Sequence, residues 1–404
     1  MTDDANYNDE FLPPGTADHA RATEVFGPLM FALFSQKIWD EFRTRDTVAR
    51  GAKRAIYRFG IGSIVLGLLA LALATIDIAY LAPQLEFAVL CKLLDAGPRP
   101  DQCTPFLLSV MSADSAETFV KVVAGAAALL GVLSFVTGFW QGGFGSRKRR
   151  WLSARMCCEL IRQWRWRYYL EHLEDVVAAA GNEARETAYQ EAQDAALDAF
   201  LRDLEADLPA RLEHAIEHGR IDLGEDETPI RKPPLDTTPQ SGPKGERLAL
   251  ALKAYDDVRI RGQIWYATYL TEKSGRFGTH PARQKSLLHE VETALVVLVL
   301  FAHLLVVLGV LADVAAFKSV FVHTIAITMA LAALAVTAID RGLRPEAHLG
   351  RFLGYKSQLL ATRDRFREAT TPPAKIASAQ DVERAAYDEM IDFLREANAA
   401  RFVI

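Results

Sequence analysis

Four apolar blocks constrain this 404-residue chain more than any other feature. They read "FGIGSIVLGLLALALATI" (59 to 76), "VVAGAAALLGVLSFVTGFW" (122 to 140), "ALVVLVLFAHLLVVLGVLA" (294 to 312) and "VFVHTIAITMALAALAVTAI" (320 to 339), and none contains Lys, Arg, Asp or Glu. A hydrocarbon core about 30 Å thick needs roughly 20 helical residues, so each block is long enough to cross it. Inside a bilayer the backbone must satisfy its own hydrogen bonds, which makes each span a helix. The expected class is an all-α membrane protein: four transmembrane helices in two hairpins plus a cytoplasmic helical layer.

Lysines and arginines near span ends are retained in the cytoplasm and set the orientation. Arg43, Arg45, Arg50, Lys53, Arg54 and Arg58 precede the first span, and Arg147, Lys148, Arg149 and Arg150 follow the second. Arg276, Arg283 and Lys285 precede the third, and Arg341, Arg344, Arg351 and Lys356 follow the fourth. The loops 77 to 121 and 313 to 319 carry few basic residues. Both termini and the middle section are therefore expected on the cytoplasmic side of a plasma membrane. No cleavable signal peptide is visible, because the start "MTDDANYNDE" is acidic and the first apolar block begins at residue 59. On this topology Cys91 and Cys103 lie in the first outer loop, where an oxidising compartment permits a disulfide; two unpaired thiols are the alternative. Cys157 and Cys158 lie inside, where thiols stay reduced.

Outside the spans the pattern is helical. Residues 1 to 30 are polar and broken by Pro-Pro-Gly at 13 to 15, and are expected to be flexible. A first two-span helical repeat with long cytoplasmic helices is expected over 31–221, a linker over 222–246, a second two-span repeat over 247–370 and a C-terminal helix over 371–404, with Ser378 as a candidate N-cap. Within the first repeat, Leu197, Leu201, Leu204, Leu208 and Leu212 form a stripe at spacings of three and four that wants a partner helix. Gly181 with Asn182, and Leu208-Pro209, are the expected interruptions.

The run "SRKRRWLSARMCCELIRQWRWRYYL", 146 to 170, interleaves seven arginines and a lysine with three tryptophans and two tyrosines. Such a run fits a nucleic-acid helix, a membrane-surface helix or the inner flank of a span. Residues 171 to 227 carry 17 acidic side chains against four arginines, a field that repels phosphate backbones and disfavours nucleic acid. Anionic headgroups attract juxtamembrane Lys and Arg by about 1 kcal/mol each, which favours the flank and makes lipid a partner. On a helix Cys157, Leu160, Ile161, Trp164 and Tyr168 share one face, so the arginines are expected to meet headgroups while the aromatics pack on a matching helix.

That matching helix is found in an internal echo. "RWLSARMCCELIR" from Arg150 and "RFLGYKSQLLATR" from Arg351 align without gaps, pairing Arg150 with Arg351, Leu152 with Leu353 and Arg162 with Arg363. Ahead of each hairpin lies a Gln and Trp motif, "QKIWDEF" from Gln36 and "QIWYATY" from Gln263. The common placement reads as a duplication. A cytosolic helix with a Gln, Trp and Tyr cluster, a basic approach, two spans and a long helix opening with Arg, an aromatic and Leu resembles the SLATT domain, the SMODS and SLOG-associating two-transmembrane effector. The resemblance is strongest over 250 to 369 and, with the first half as a diverged copy, extends to a tandem pair; members of the family carry one hairpin where this chain has two. It implies a bacterial inner-membrane effector of a nucleotide-triggered conflict or antiviral system, a homo-oligomer that perturbs the membrane, with a nucleotide-sensing or nucleotidyltransferase partner in the cytoplasm.

No catalytic signature is present: no G-x-x-x-x-G-K-[ST], H-E-x-x-H, G-x-S-x-G or zinc-type Cys/His spacing. The expectation is a non-enzyme without cofactor or metal. Polar residues within spans cost free energy and mark the remaining candidates. His303, near the middle of the third span, matches the depth of Thr328 on the fourth, giving either a packing hydrogen bond or a polar pore-lining site. Asp77 and Lys121 flank the outer ends of the first two spans as a candidate ion pair. Ser63 and Gly67, and Ala127 and Gly131, form small-x-x-x-small patterns that let helices approach closely. Two functions fit: a leak-forming membrane effector, or a non-catalytic scaffold or signalling adaptor that recruits partners through its cytoplasmic helices.

Overall fold

The structure is a computed structural model and describes residues 9–77, 113–142, 145–218, 243–272, 280–311 and 320–400. Every element among them is helical. In chain order these are α1 (Ala17–Phe26), a 3₁₀ turn (Gly27–Leu29), α2 (Met30–Leu33), α3 (Gln36–Ile76), α4 (Ala113–Gly142), α5 (Gly145–Glu171), α6 (Leu173–Ala179) and α7 (Glu183–His218). The second half supplies α8 (Pro243–Ala254), a π turn (Tyr255–Ile260), α9 (Arg261–Thr271), α10 (Pro281–Leu311), α11 (Val320–Leu343), α12 (Pro345–Glu368) and α13 (Pro372–Ala399). Four helices are long and apolar enough to cross a membrane: α3, α4, α10 and the helical run that begins in α11.

Two compact units divide the chain, and they cut across the two repeats expected from the sequence. One, the helical body, gathers Met1–Lys53, Ser146–Gln284 and Pro345–Ala399; the other, the span unit, gathers Arg54–Gly145, Lys285–Arg344 and Ala400–Ile404.

The core of the body draws on every helix in it. Phe11, Leu12, Phe26, Leu29, Leu33, Ile38 and Phe42 join Cys157, Ile161, Trp166, Tyr169, Leu197, Leu204, Tyr255, Leu359, Phe366 and Val382 in one buried cluster. The flexible start expected over 1–30 is therefore corrected from residue 9 onward. Thr16 caps α1 by accepting the His19 amide (3.2 Å), and Ala22, Phe26, Leu29 and Leu33, spaced four, three and four apart, form the stripe that this segment buries. Arg21, Thr23 and Glu24 lie on the opposite, exposed face, whereas Glu10 and Asp18 are buried.

Further along, Gly181 adopts φ +78°, a left-handed conformation natural to glycine, and Asn182 Oδ1 caps α7 at the Arg185 amide (3.2 Å). The interruption expected at Leu208-Pro209 does not occur. Pro209 lies inside α7 on its exposed face, where the lost N–H faces outward, while Leu204 and Leu212 hold the helix on the buried side. Ser378 is likewise not a cap: α13 starts at Pro372, whose fixed φ suits a first helical position, and the Ser378 hydroxyl donates to the Ala374 carbonyl (3.2 Å). Most of the 222–246 linker lies outside the described residues, and Pro243–Glu246 already belong to α8.

Within the span unit the small residues do what their spacing predicts. A Cβ placed on Gly131 of α4 would stand 3.9 Å from the Ala70 Cβ of α3, and Ser134 Oγ donates to the Ser63 carbonyl at 2.9 Å. Ile64 of α3 is buried against Ala335 and Ala338 of α11, and Thr337 of α11 donates to Glu292 of α10 (3.1 Å). Most of the apolar surface stays open: only 6% of the apolar window in α10 is buried within the chain, and Val122, Leu129, Phe135, Leu300 and Phe301 are exposed. Such a surface is stable only against lipid or other apolar helices.

Candidate functional site

The densest chemistry in the molecule is a buried ion network in the helical body, centred on Arg259 of the π turn. A π turn takes one more residue than an α turn and is frequent at functional sites. All six residues of this one, Tyr255–Ile260, are buried. The Arg259 guanidinium is fully enclosed and forks onto Glu383 of α13, with Nε to Oε1 at 2.9 Å and Nη2 to Oε2 at 2.7 Å. Its remaining nitrogen, Nη1, donates to Glu10 Oε2 at 2.9 Å. Tyr255, one turn earlier, donates to Glu383 Oε1 at 2.8 Å.

Glu10 is the second hub. Its Oε2 also accepts from Gln263 Nε2 (3.1 Å), whose own Oε1 accepts from the Tyr355 hydroxyl (3.0 Å). Its Oε1 is ion-paired with Arg162 of α5, which also binds Glu159; Glu159 in turn holds Arg155 at 2.5 Å. Arg165, one helical turn from Arg162, donates Nη1 to the Glu10 carbonyl (2.7 Å) and Nη2 to the Leu33 carbonyl. Phe11 and Trp166 cover its guanidinium, with ring centroids at 5.1 and 4.6 Å.

Burial shifts these groups in directions the geometry explains. For Glu10 the desolvation that would raise its pKa is outweighed by Arg259 and Arg162, which hold it below the ordinary carboxylate value. Arg155 and Arg162 do the same for Glu159. Arg165, desolvated and facing Arg259 and Arg162, is pushed down to about 10 although Glu10 and Asp9 pull the other way. Burial drives the Cys158 thiol up to about 12. A network of this kind does no bond chemistry by itself. It fixes how the N-terminal segment, α5, the π turn, α12 and α13 meet, and it punishes any arrangement that strands one charge.

Matching the sequence's candidates to the structure gives a mixed result. The basic aromatic run is α5, and its aromatics are buried: Trp164 stacks on Phe200 of α7 (5.6 Å), Tyr168 meets Tyr189 edge-on (5.8 Å) and Trp166 meets Tyr255 (5.5 Å). Their partners thus include α7 and the π turn. The arginines separate by position. Arg147, Arg149 and Arg150 are exposed and suit headgroups, with Arg149 3.4 Å from Glu213, and Lys148 donates to the Asn398 carbonyl at 2.5 Å. Arg155, Arg162 and Arg165 turn inward, so for these three the headgroup expectation is corrected. Arg351, expected in the basic flank, is instead paired with Glu389 and Glu396 of α13, and Lys356 is half-buried.

The echoed helices do share a neighbour. Trp151 of α5 meets Phe393 edge-on (5.8 Å), and Arg351 of α12 lies over the same ring (5.1 Å). The echoed glutamines do not share a role: Gln36 is exposed and bonded to Asp40, whereas Gln263 is buried between Glu10 and Tyr355. In the span unit, His303 Nδ1 lies 2.8 Å from the Val299 carbonyl and the Thr328 hydroxyl donates to the Thr324 carbonyl at 2.8 Å, so each is satisfied by its own helix rather than by the other. Asp77 is half-buried, with an enclosed Oδ1 that has no hydrogen-bond partner among the described residues; Lys121 is exposed. Cys91 and Cys103 lie outside the described residues, and Cys157 and Cys158 are free, buried thiols.

No family model, curated protein or solved structure matches this chain.

The Leu stripe of α7 bears directly on function. Leu197, Leu201 and Leu204 belong to the core of the body and Leu212 is buried too, so the stripe's partner is the chain itself. Glu10 and Arg259, the hubs of the buried network, do not stand out in the sequence because each stands in a run that looks solvated, "NDEF" and "DDVRIRG". The signal that would have found Glu10 is the helical-period stripe beginning at Ala22, which requires the segment it belongs to to be folded.

Proposed function

We propose that this chain is a non-catalytic, multi-pass membrane effector whose cytoplasmic helical body controls a leak formed by its spans in several copies. One observation carries the reading: the span helices bury so little of one another, 6% of the apolar window in α10 and 11% in α4, that their outer faces remain for lipid and for further copies. The sequence resemblance to the SLATT domain supports the same class, with a bacterial inner membrane as its site and a nucleotide-sensing partner as its trigger. The test is induction of the full-length protein in bacterial cells while membrane potential and dye exclusion are followed. Depolarisation with dye entry is the expected result; an intact potential, with and without the neighbouring genes, removes the leak from the reading.

A non-catalytic scaffold is the second reading. It draws support from His303 and Thr328, which bond to their own helices rather than to each other. It loses the Leu stripe of α7 as a docking face, because that stripe is buried.

A further inference from the structure

We propose that Glu10–Leu33 is a releasable strap, a closed segment fastened at both ends by the Arg165 guanidinium, whose opening leaves Arg162 with Glu159 alone and Arg259 with Glu383 alone and loosens the start of α3. The acceptors of Arg165 are the first and last carbonyls of this segment, Glu10 and Leu33, so one side chain of α5 holds both ends. Between those ends the segment keeps its own shape. Asp18 accepts the Asp9 amide (3.1 Å), His19 Nδ1 lies 2.8 Å from the Leu12 carbonyl, and Thr16 caps α1. It can therefore leave as a unit rather than unravel.

Its helical part turns Ala22, Phe26, Leu29 and Leu33 inward and leaves Arg21, Glu24, Val25, Gly27 and Pro28 exposed, while Phe11 stacks on Phe42 (4.2 Å) and the Phe31 carbonyl accepts from Gln190 (3.2 Å). Leu12, two residues from Glu10, sits at φ +52°, a left-handed conformation that a leucine keeps only because its side chain is fully enclosed. Departure relieves that strain, takes the Glu10 carboxylate from Arg162, Arg259 and Gln263, and takes its carbonyl from Arg165. Two residues separate Leu33 from Gln36, where α3, the first span helix, begins. A strap that opens at Arg165 thus loosens the helix that enters the membrane.

The strap itself does not depend on the effector reading; its consequence for the bilayer does. Hydrogen exchange of the full-length protein in phospholipid nanodiscs tests the first. Amides of Ala17–Leu33 are expected to exchange together and at least about tenfold faster than those around Met390–Leu394 of α13, as a low-energy cooperative unit does. Glu10→Gln and Arg165→Lys should each accelerate the strap about 10- to 100-fold and leave α13 unchanged, the range set by losing a hydrogen bond to a charged group. Equal exchange of the strap and α13 in the wild-type protein overturns the proposal, and that comparison decides alone if either substitution prevents folding. Dye release from liposomes tests the second: a looser strap that raises leakage supports both ideas, and a looser strap without leakage keeps the strap and counts against the effector.

Discussion

Replacing Arg259 by Met removes the hub of the buried network with little change in volume, and the structure sets the size of the effect. Three charge-assisted hydrogen bonds are lost, two to Glu383 at 2.9 and 2.7 Å and one to Glu10 at 2.9 Å. Glu10 retains Arg162, but Glu383 is left buried with only the Tyr255 hydroxyl. Stranding a buried charge in this way costs about 3–5 kcal/mol. Adding Glu383→Gln removes the stranded charge, so the double variant should be more stable than Arg259→Met alone, with a coupling of at least about 1.5 kcal/mol. Denaturant unfolding of the detergent-solubilised protein, followed by tryptophan fluorescence, is a suitable assay because Trp166 lies edge-on to Tyr255, 5.5 Å away. A loss below about 1 kcal/mol in Arg259→Met, or strict additivity in the double variant, would show that these charges are solvated and not a buried network.

The remaining expectations test other parts of the fold. Glu10 and Glu159 are held below their ordinary value of 4.5, so they stabilise the body at neutral pH and lose that contribution as pH falls below about 4.5 through their folded values. Glu389, which burial pushes up despite Arg351, works in the opposite direction; acid unfolding midpoints of wild type and Glu10→Gln separate the two, the variant showing the shallower acid loss. Cys157 and Cys158 should resist maleimide in the native protein and react after denaturation, since both are buried and the Cys158 pKa is pushed up to about 12; rapid native labelling would count against the packing of α5. Leu204→Ala should cost about 2–5 kcal/mol in the unfolding assay, as a core leucine does, whereas a docking residue would cost little. Gly131→Ala should be tolerated, while Gly131→Leu should separate α3 from α4 and reduce disulfide trapping between cysteines placed on the two helices.

The apolar blocks were legible because a bilayer imposes one rule, roughly 20 uncharged residues, that no neighbouring element can override. Gly181 was legible for a similar reason, since its conformation is set locally. Pro209 and Ser378 were misread because flanking packing outweighed the local signal: Leu204 and Leu212 carry the helix through the proline, and Pro372 starts α13 six residues ahead of the serine. The candidate site was scarcely legible at all. Arg155, Arg162 and Arg165 belong to the same basic run as Arg147, Arg149 and Arg150, and only the tertiary arrangement decides which of them meet carboxylates. Glu10 and Arg259 lie 249 residues apart and Arg259 and Glu383 124, so no spacing rule links them.

That separation has a consequence for how the protein is made. Glu10 is synthesised before any span, Arg259 between the second and third, and Glu383 after the fourth. The helical body therefore cannot close while the ribosome is still delivering the spans, and its contacts carry the large loop-closure cost that slows folding. Until α13 emerges, Arg259 lacks the carboxylate that it grips with two nitrogens, and the helical body waits unfinished although all four apolar helices have been synthesised. Synthesis of the four apolar helices is thereby placed ahead of assembly of the body, and closure of the Arg259–Glu383 pair reports that all four have been made.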